Sequence, residues 1–110
     1  MTVSVKLNLS RLRRALSGEQ QAIDRGARNA ALAIEDLAQQ LAPVDTGALR
    51  ESIHIEQDRA GSYKIVASVP YAQHVEYGTH RAPAQPFLTP ALHRVNPLTF
   101  IAAEIKALLR

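Results

Sequence analysis

Three features of this sequence predict an α+β fold: a helical apolar stripe over residues 19–41, two alternating runs over 53–56 and 63–69 joined by turn residues, and two amphipathic stretches after residue 86. The expected architecture is a long N-terminal helix packed on a small antiparallel sheet that contains a β-hairpin, followed by C-terminal helices. The 110 residues suit one domain, 1–110, because half that length would bury too little apolar surface to fold unaided. Residues 1–18 read as an arm with a short helix, and 19–110 as the core.

The chain opens on Val3, Val5 and Leu7, the alternation of a short strand or extended arm, and changes period at Leu9, Leu12 and Leu16, which predicts a helix over 9–17. Beyond Gly18, residues Ile23, Ala27, Ala30, Ile34, Leu37 and Leu41 follow at spacings of four, three, four, three and four, one face of a helix from about Glu19 to Leu41. Alanine in mid-stripe lets a neighbour approach closely, and Asp24 stands one turn before Arg28 as an acid-to-base pair. A helix lying across a sheet fits this stripe better than a coiled coil, since alanine seams zip weakly. Pro43 ends the helix by pushing Ala42 out of the α region. Asp45 or Thr46 can then cap a short helix through Ala48, Leu49 and Arg50, with Gly47 where a side chain would crowd the turn.

Ile53 and Ile55 alternate with Ser52, His54 and Glu56; residues 58–62 are turn material; Tyr63, Ile65, Ala67 and Val69 complete a hairpin. After Pro70, Tyr71 and Val75 one helical turn apart and Gly78 at a C′ position favour a short helix over 71–77. Residues 78–86 lack periodicity and hold Pro83 and Pro86, so they form one long loop. Phe87, Leu88, Ala91 and Leu92 mark a further helix, and Asn96-Pro97 opens a last one whose apolar face is Leu98, Ile101, Ile105 and Leu108.

Composition excludes more than it suggests. Hydrophobic residues are 46% and charged residues 21%, the usual globular mix, which argues against a disordered tail or fibrous repeat. The absence of cysteine removes disulfides, thiolate nucleophiles and Cys-based zinc sites. Apolar runs fall far short of the ~20 residues that span a bilayer, and the start is too polar for a signal peptide, so a soluble, cytoplasmic chain without membrane contact is expected. A net charge of +3 is mild, only Arg11, Arg13 and Arg14 cluster, and the aromatics are sparse, which makes nucleic-acid binding through those arginines the second-ranked reading.

Catalytic signals are missing. His54 and His93 read as solvated imidazoles, and His74 and His80 flanking Glu76 match no helical or hairpin zinc geometry. No serine stands in a nucleophile motif, the glycines are isolated, and no carboxylate pair is suggested by spacing. No metal, cofactor, small-molecule substrate or enzymatic activity is expected.

What does stand out is three ordered strings: Ala42-Pro43-Val44-Asp45-Thr46-Gly47-Ala48-Leu49-Arg50-Glu51-Ser52-Ile53, then Tyr71-Ala72-Gln73-His74-Val75-Glu76-Tyr77-Gly78-Thr79, then Pro86-Phe87-Leu88-Thr89-Pro90-Ala91-Leu92. In this order and spacing they resemble the tail-component family of long-tailed bacteriophages and prophages, small head–tail joining or tail-completion proteins. The resemblance runs from about residue 20 to 105 and leaves 1–18 uncovered. It implies a non-enzymatic virion protein that assembles as a homo-oligomeric ring at the neck or tail end, monomeric when free, contacts connector or tail-tube proteins, and resides in the host cytoplasm during assembly. Candidate interface residues are Glu76, Tyr77, Gly78, Thr79, His80, Arg81, Pro83, Pro86 and Phe87, with Pro43, Asp45, Thr46 and Gly47 as structural turn and cap residues. Glu76 is either an interface residue or an internal salt-bridge partner, for Arg50 or Arg81. The loop 78–86 is expected to order against a neighbour on assembly.

Overall fold

The computed structural model describes residues 3–16, 18–43 and 47–108. In chain order the elements are β1 (Val3–Asn8), α1 (Ser10–Ala15), α2 (Gln20–Leu41), α3 (Ala48–Ser52), β2 (Ile53–Arg59), β3 (Ser62–Ala67), α4 (Ala72–Tyr77), α5 (Leu88–Arg94) and α6 (Pro97–Leu108). The three strands form one antiparallel sheet in the order β1-β3-β2. The N-terminal segment is therefore an integral strand beside the hairpin, with Val5 opposite Ile65 and Leu7 opposite Tyr63.

Alternation decides which way each strand faces. Val3, Leu7, Ile53, Tyr63, Ile65 and Ala67 are buried under the helices, while Ser4, Lys6 and Glu56 are exposed on the opposite side. Helix α2 lies across β2 and β3, as its stripe predicts, and also carries α5 and α6. Ala27, Ala30, Ile34 and Ala38 on its inner face are wholly buried, and Leu37 and Leu41 are half-buried. Ala42 is extended, with ψ of 133°, as the residue before a proline should be.

Gly26 shows why a small residue is needed on α2. A Cβ there would lie 2.6 Å from the Ile101 Cα, so α6 crosses α2 at backbone contact distance. That crossing explains the fate of the expected α6 face: Ile101 is buried, whereas Leu98 and Leu108, at the two ends of the helix, are 55% and 53% exposed. The start of α6 follows expectation, since the Leu98 N–H donates to Asn96 Oδ1 at 3.0 Å.

Asp24 does not pair with Arg28. Its carboxylate accepts from Arg13 Nε at 2.8 Å and Nη2 at 3.3 Å, tying α1 to α2. A two-pronged contact to the rigid guanidinium fork displaces the weaker same-helix pair. The cap assigned to Asp45 or Thr46 lies outside the described residues; Gly47, which precedes α3, has a φ of 82°, a conformation glycine adopts without strain.

Candidate functional site

Helix α4 and the segment after it bring the second and third strings together. Ala72 and Glu76 share the inner face of α4, one turn apart, and both are buried. Glu76 is an anion in the interior, and the chain supplies three donors for it. Oε1 accepts the N–H groups of Phe87 and Leu88, each at 2.9 Å, and Oε2 accepts the N–H of Thr89 at 3.1 Å. These are unpaired first-turn donors of α5, so Glu76 caps that helix from eleven residues away in sequence. Burial alone pushes the carboxyl pKa up; the backbone donors of Phe87 and Leu88, with the side chain and N–H of Thr89, outweigh it and hold Glu76 below the ordinary glutamate range.

Glu76 thus has a role that neither sequence alternative included. Among the described residues no ion pair joins it to Arg50 or Arg81. Arg50 instead donates from Nε to the Gln39 carbonyl at 3.0 Å. Backbone donors win because they are fixed by the fold, whereas a long arginine would have to be desolvated and ordered.

The loop between these anchors has internal structure. The Thr79 N–H donates to the Ala82 carbonyl at 2.9 Å, the Ala82 N–H returns to Thr79, and Thr79 Oγ1 accepts from the Arg81 and Ala82 N–H groups. At its far end the Gln85 N–H donates to the Val75 carbonyl at 2.8 Å. Gly78, with φ of 78°, makes the turn out of α4, and a Cβ there would meet the Ala84 nitrogen at 2.7 Å. The loop is a closed turn held by hydrogen bonds within the single chain.

Its side chains face outward. Thr79, His80, Arg81, Pro83 and Pro86 are exposed, and Tyr77 at the end of α4 is 63% exposed. Phe87 and Glu76 are buried inside the subunit and position this surface without forming it. Tyr71, His74, Val75, Thr79 and Pro83 line a cleft of about 200 Å³ with Pro43 of the first string. Pro43 of the first string and residues of the second thus share this cleft, while Glu76 of the second string holds the start of α5 in the third.

A family model matches residues 5–78, about two thirds of the 110 residues, and its description is "Bacteriophage HK97-gp10, putative tail-component". The chain belongs to the HK97-gp10-like family. The comparisons with curated proteins and with solved structures found no match. For this HK97-gp10-like chain the matched span starts inside the arm that the three strings left uncovered, consistent with β1 being part of the sheet, and ends before the third string.

The other sequence candidates are scattered. His74, His80 and His93 are exposed, and no group of three or more metal-ligating residues occurs among the described residues. His54 is not a free imidazole: Nδ1 faces the Ser52 carbonyl and Nε2 faces Glu56 Oε2, both at 2.8 Å, an arrangement in which both nitrogens donate only when the ring is protonated. The Ser52 carbonyl, with Glu56, raises its pKa. Of the three N-terminal arginines, Arg13 is neutralised by Asp24, which leaves Arg11 and Arg14 exposed. Glu35 and Gln39, unmarked in the sequence, cover the outer edge of β2: Glu35 Oε2 accepts the Ile55 N–H at 3.1 Å and Gln39 Nε2 donates to the Ile53 carbonyl at 3.4 Å. Flanking positions beside a helix stripe carry no signal for such a contact.

Proposed function

We propose that this tail-component chain is a non-enzymatic structural protein that joins head and tail, or completes the tail, of a phage or prophage particle. Copies assemble as a ring at the neck or tail end, contact connector or tail-tube proteins, and form in the host cytoplasm before joining the particle. The observation that carries the reading is the surface built by α4 and its loop, where Tyr77, Thr79, His80, Arg81, Pro83 and Pro86 are displayed on a base clamped by Glu76. Tyrosine and arginine with few other charges suit a protein–protein contact, and a loop pre-formed in the single chain loses little entropy on docking. Family membership supports a place among phage structural proteins. The nucleic-acid reading is weaker, because the Arg13 charge is already paired with Asp24.

Replacing residues 79–85 by a short glycine linker tests this. The trimmed protein should retain the α2–sheet core yet fail to complete infectious particles. Normal particle yield from a folded, trimmed protein would overturn the assignment of the loop as the contact.

A further inference from the structure

The two edges of the sheet are treated differently by the fold. The outward Ile55 N–H is taken by Glu35, so Ile55 makes no ladder bond to Ile65, and the Ile65 backbone must face β1. The Leu9 N–H donates to the Gly61 carbonyl at 2.7 Å, which independently sets the odd residues of this segment toward β3. By alternation the N–H and C=O groups of Ser4 and Lys6 point away from the sheet. Among the described residues no hydrogen bond from another element reaches them, and both residues are exposed. A lysine often shields such an edge, but Lys6 Nζ lies 3.0 Å from Asp58 Oδ2 on β2, drawn back across the sheet face.

We propose that β1 is a strand-docking edge and that its occupant is β1 of a second copy, antiparallel about Val5. The strand is its own complement. In that register Ser4 and Lys6 of one copy exchange main-chain bonds with Lys6 and Ser4 of the other. Val5 meets Val5, and Val3 meets Leu7, all on the helix-covered side. A register shifted to place Lys6 opposite Lys6 opposes like charges. The pair forms one sheet across a two-fold axis, and at the opposite edge Glu35 and Gln39 occupy Ile55 and Ile53 while an irregularity breaks the ladder between Gln57 and Arg59, which opposes further strand addition there. The free form is then a dimer, joined through main-chain groups of β1 and not through the exposed side chains of the α4 loop.

The test uses the purified 110-residue chain, which has no cysteine. Val5 opposite Val5 is a non-hydrogen-bonded pair with Cα atoms about 4.5 Å apart, inside the span of a disulfide. Wild type should sediment as a concentration-dependent dimer, and Val5→Cys should form a covalent dimer under mild oxidation where Ser68→Cys, exposed beyond β3, does not. Lys6→Pro removes an outward N–H but no ladder bond; with an unchanged circular dichroism spectrum it should weaken dimerisation by about tenfold or more, while Lys6→Ala, which keeps the N–H, retains it. Should Lys6→Pro fail to fold, Ser4→Pro makes the equivalent deletion. A wild type that stays monomeric, a Val5→Cys variant that links no better than Ser68→Cys, or a folded proline variant that dimerises normally would each overturn the proposal.

Discussion

Replacing Glu76 by alanine should strongly destabilise the base on which the α4 loop surface rests. The carboxylate satisfies three N–H groups, two of them on fully buried residues, Phe87 and Leu88, and one on half-buried Thr89. Hydrogen bonds to a charged group contribute about 1.5–3 kcal/mol each. Water can reach the Thr89 donor in the variant, so two losses dominate and the expected destabilisation is about 3–6 kcal/mol, against a total stability of roughly 5–15 kcal/mol. Urea denaturation followed by circular dichroism measures it. Glu76→Gln keeps one carbonyl oxygen for Phe87 and Leu88 but turns an amide N–H toward the Thr89 donor, so an intermediate loss of about 2 kcal/mol is expected. An alanine variant within about 1 kcal/mol of wild type, or a glutamine variant worse than alanine, would refute the clamp.

The same carboxylate sets a pH dependence. Its folded pKa is depressed, so its stabilisation is fully present above the unfolded value of about 4.3 and is lost as pH falls through the folded pKa. The stability gap between wild type and Glu76→Gln should therefore be constant near neutrality and shrink in acid; a gap that widens in acid has the wrong sign. His54 titrates the other way: its folded pKa is raised, so its contribution is complete below about 6.5 and fades as pH rises through the folded pKa. Following the His54 ring by NMR should show a midpoint above 6.5 that drops in Glu56→Gln. Gly26→Ala would gain about 1 kcal/mol in an open helix, but here the new methyl meets the Ile101 backbone, and a net loss of about 2 kcal/mol is expected from thermal melts; an increase in stability would mean α6 does not cross at Gly26.

Local pattern carried much of the fold. The α2 stripe, its stop before Pro43, the hairpin, the short α4 and the Asn96-Pro97 opening of α6 all express spacings and backbone restrictions that act within a few residues. Partner choice is where sequence reading ran out. Asp24 had a plausible partner one turn away and took Arg13 across a helix boundary, and Glu76 passed over arginines for the backbone of α5. Both choices depend on where distant segments come to rest. The burial of Glu76 did have a trace, since it shares a helix face with Ala72, which apolar periodicity overlooks because it counts a carboxylate as polar and therefore outside. Leu98 and Leu108 show the converse: an apolar stripe marks a face, and the crossing at Gly26 decides how much of it is covered.

Native mass spectrometry of the 110-residue chain, with and without connector or tail-tube protein, tests most directly whether this is an assembling tail component. Alone, the chain should give small species no larger than a dimer. With its partner a closed higher oligomer should appear, and the variant lacking residues 79–85 should not form it. A chain that binds neither partner nor further copies of itself, or a trimmed variant that assembles as wild type does, would contradict the account.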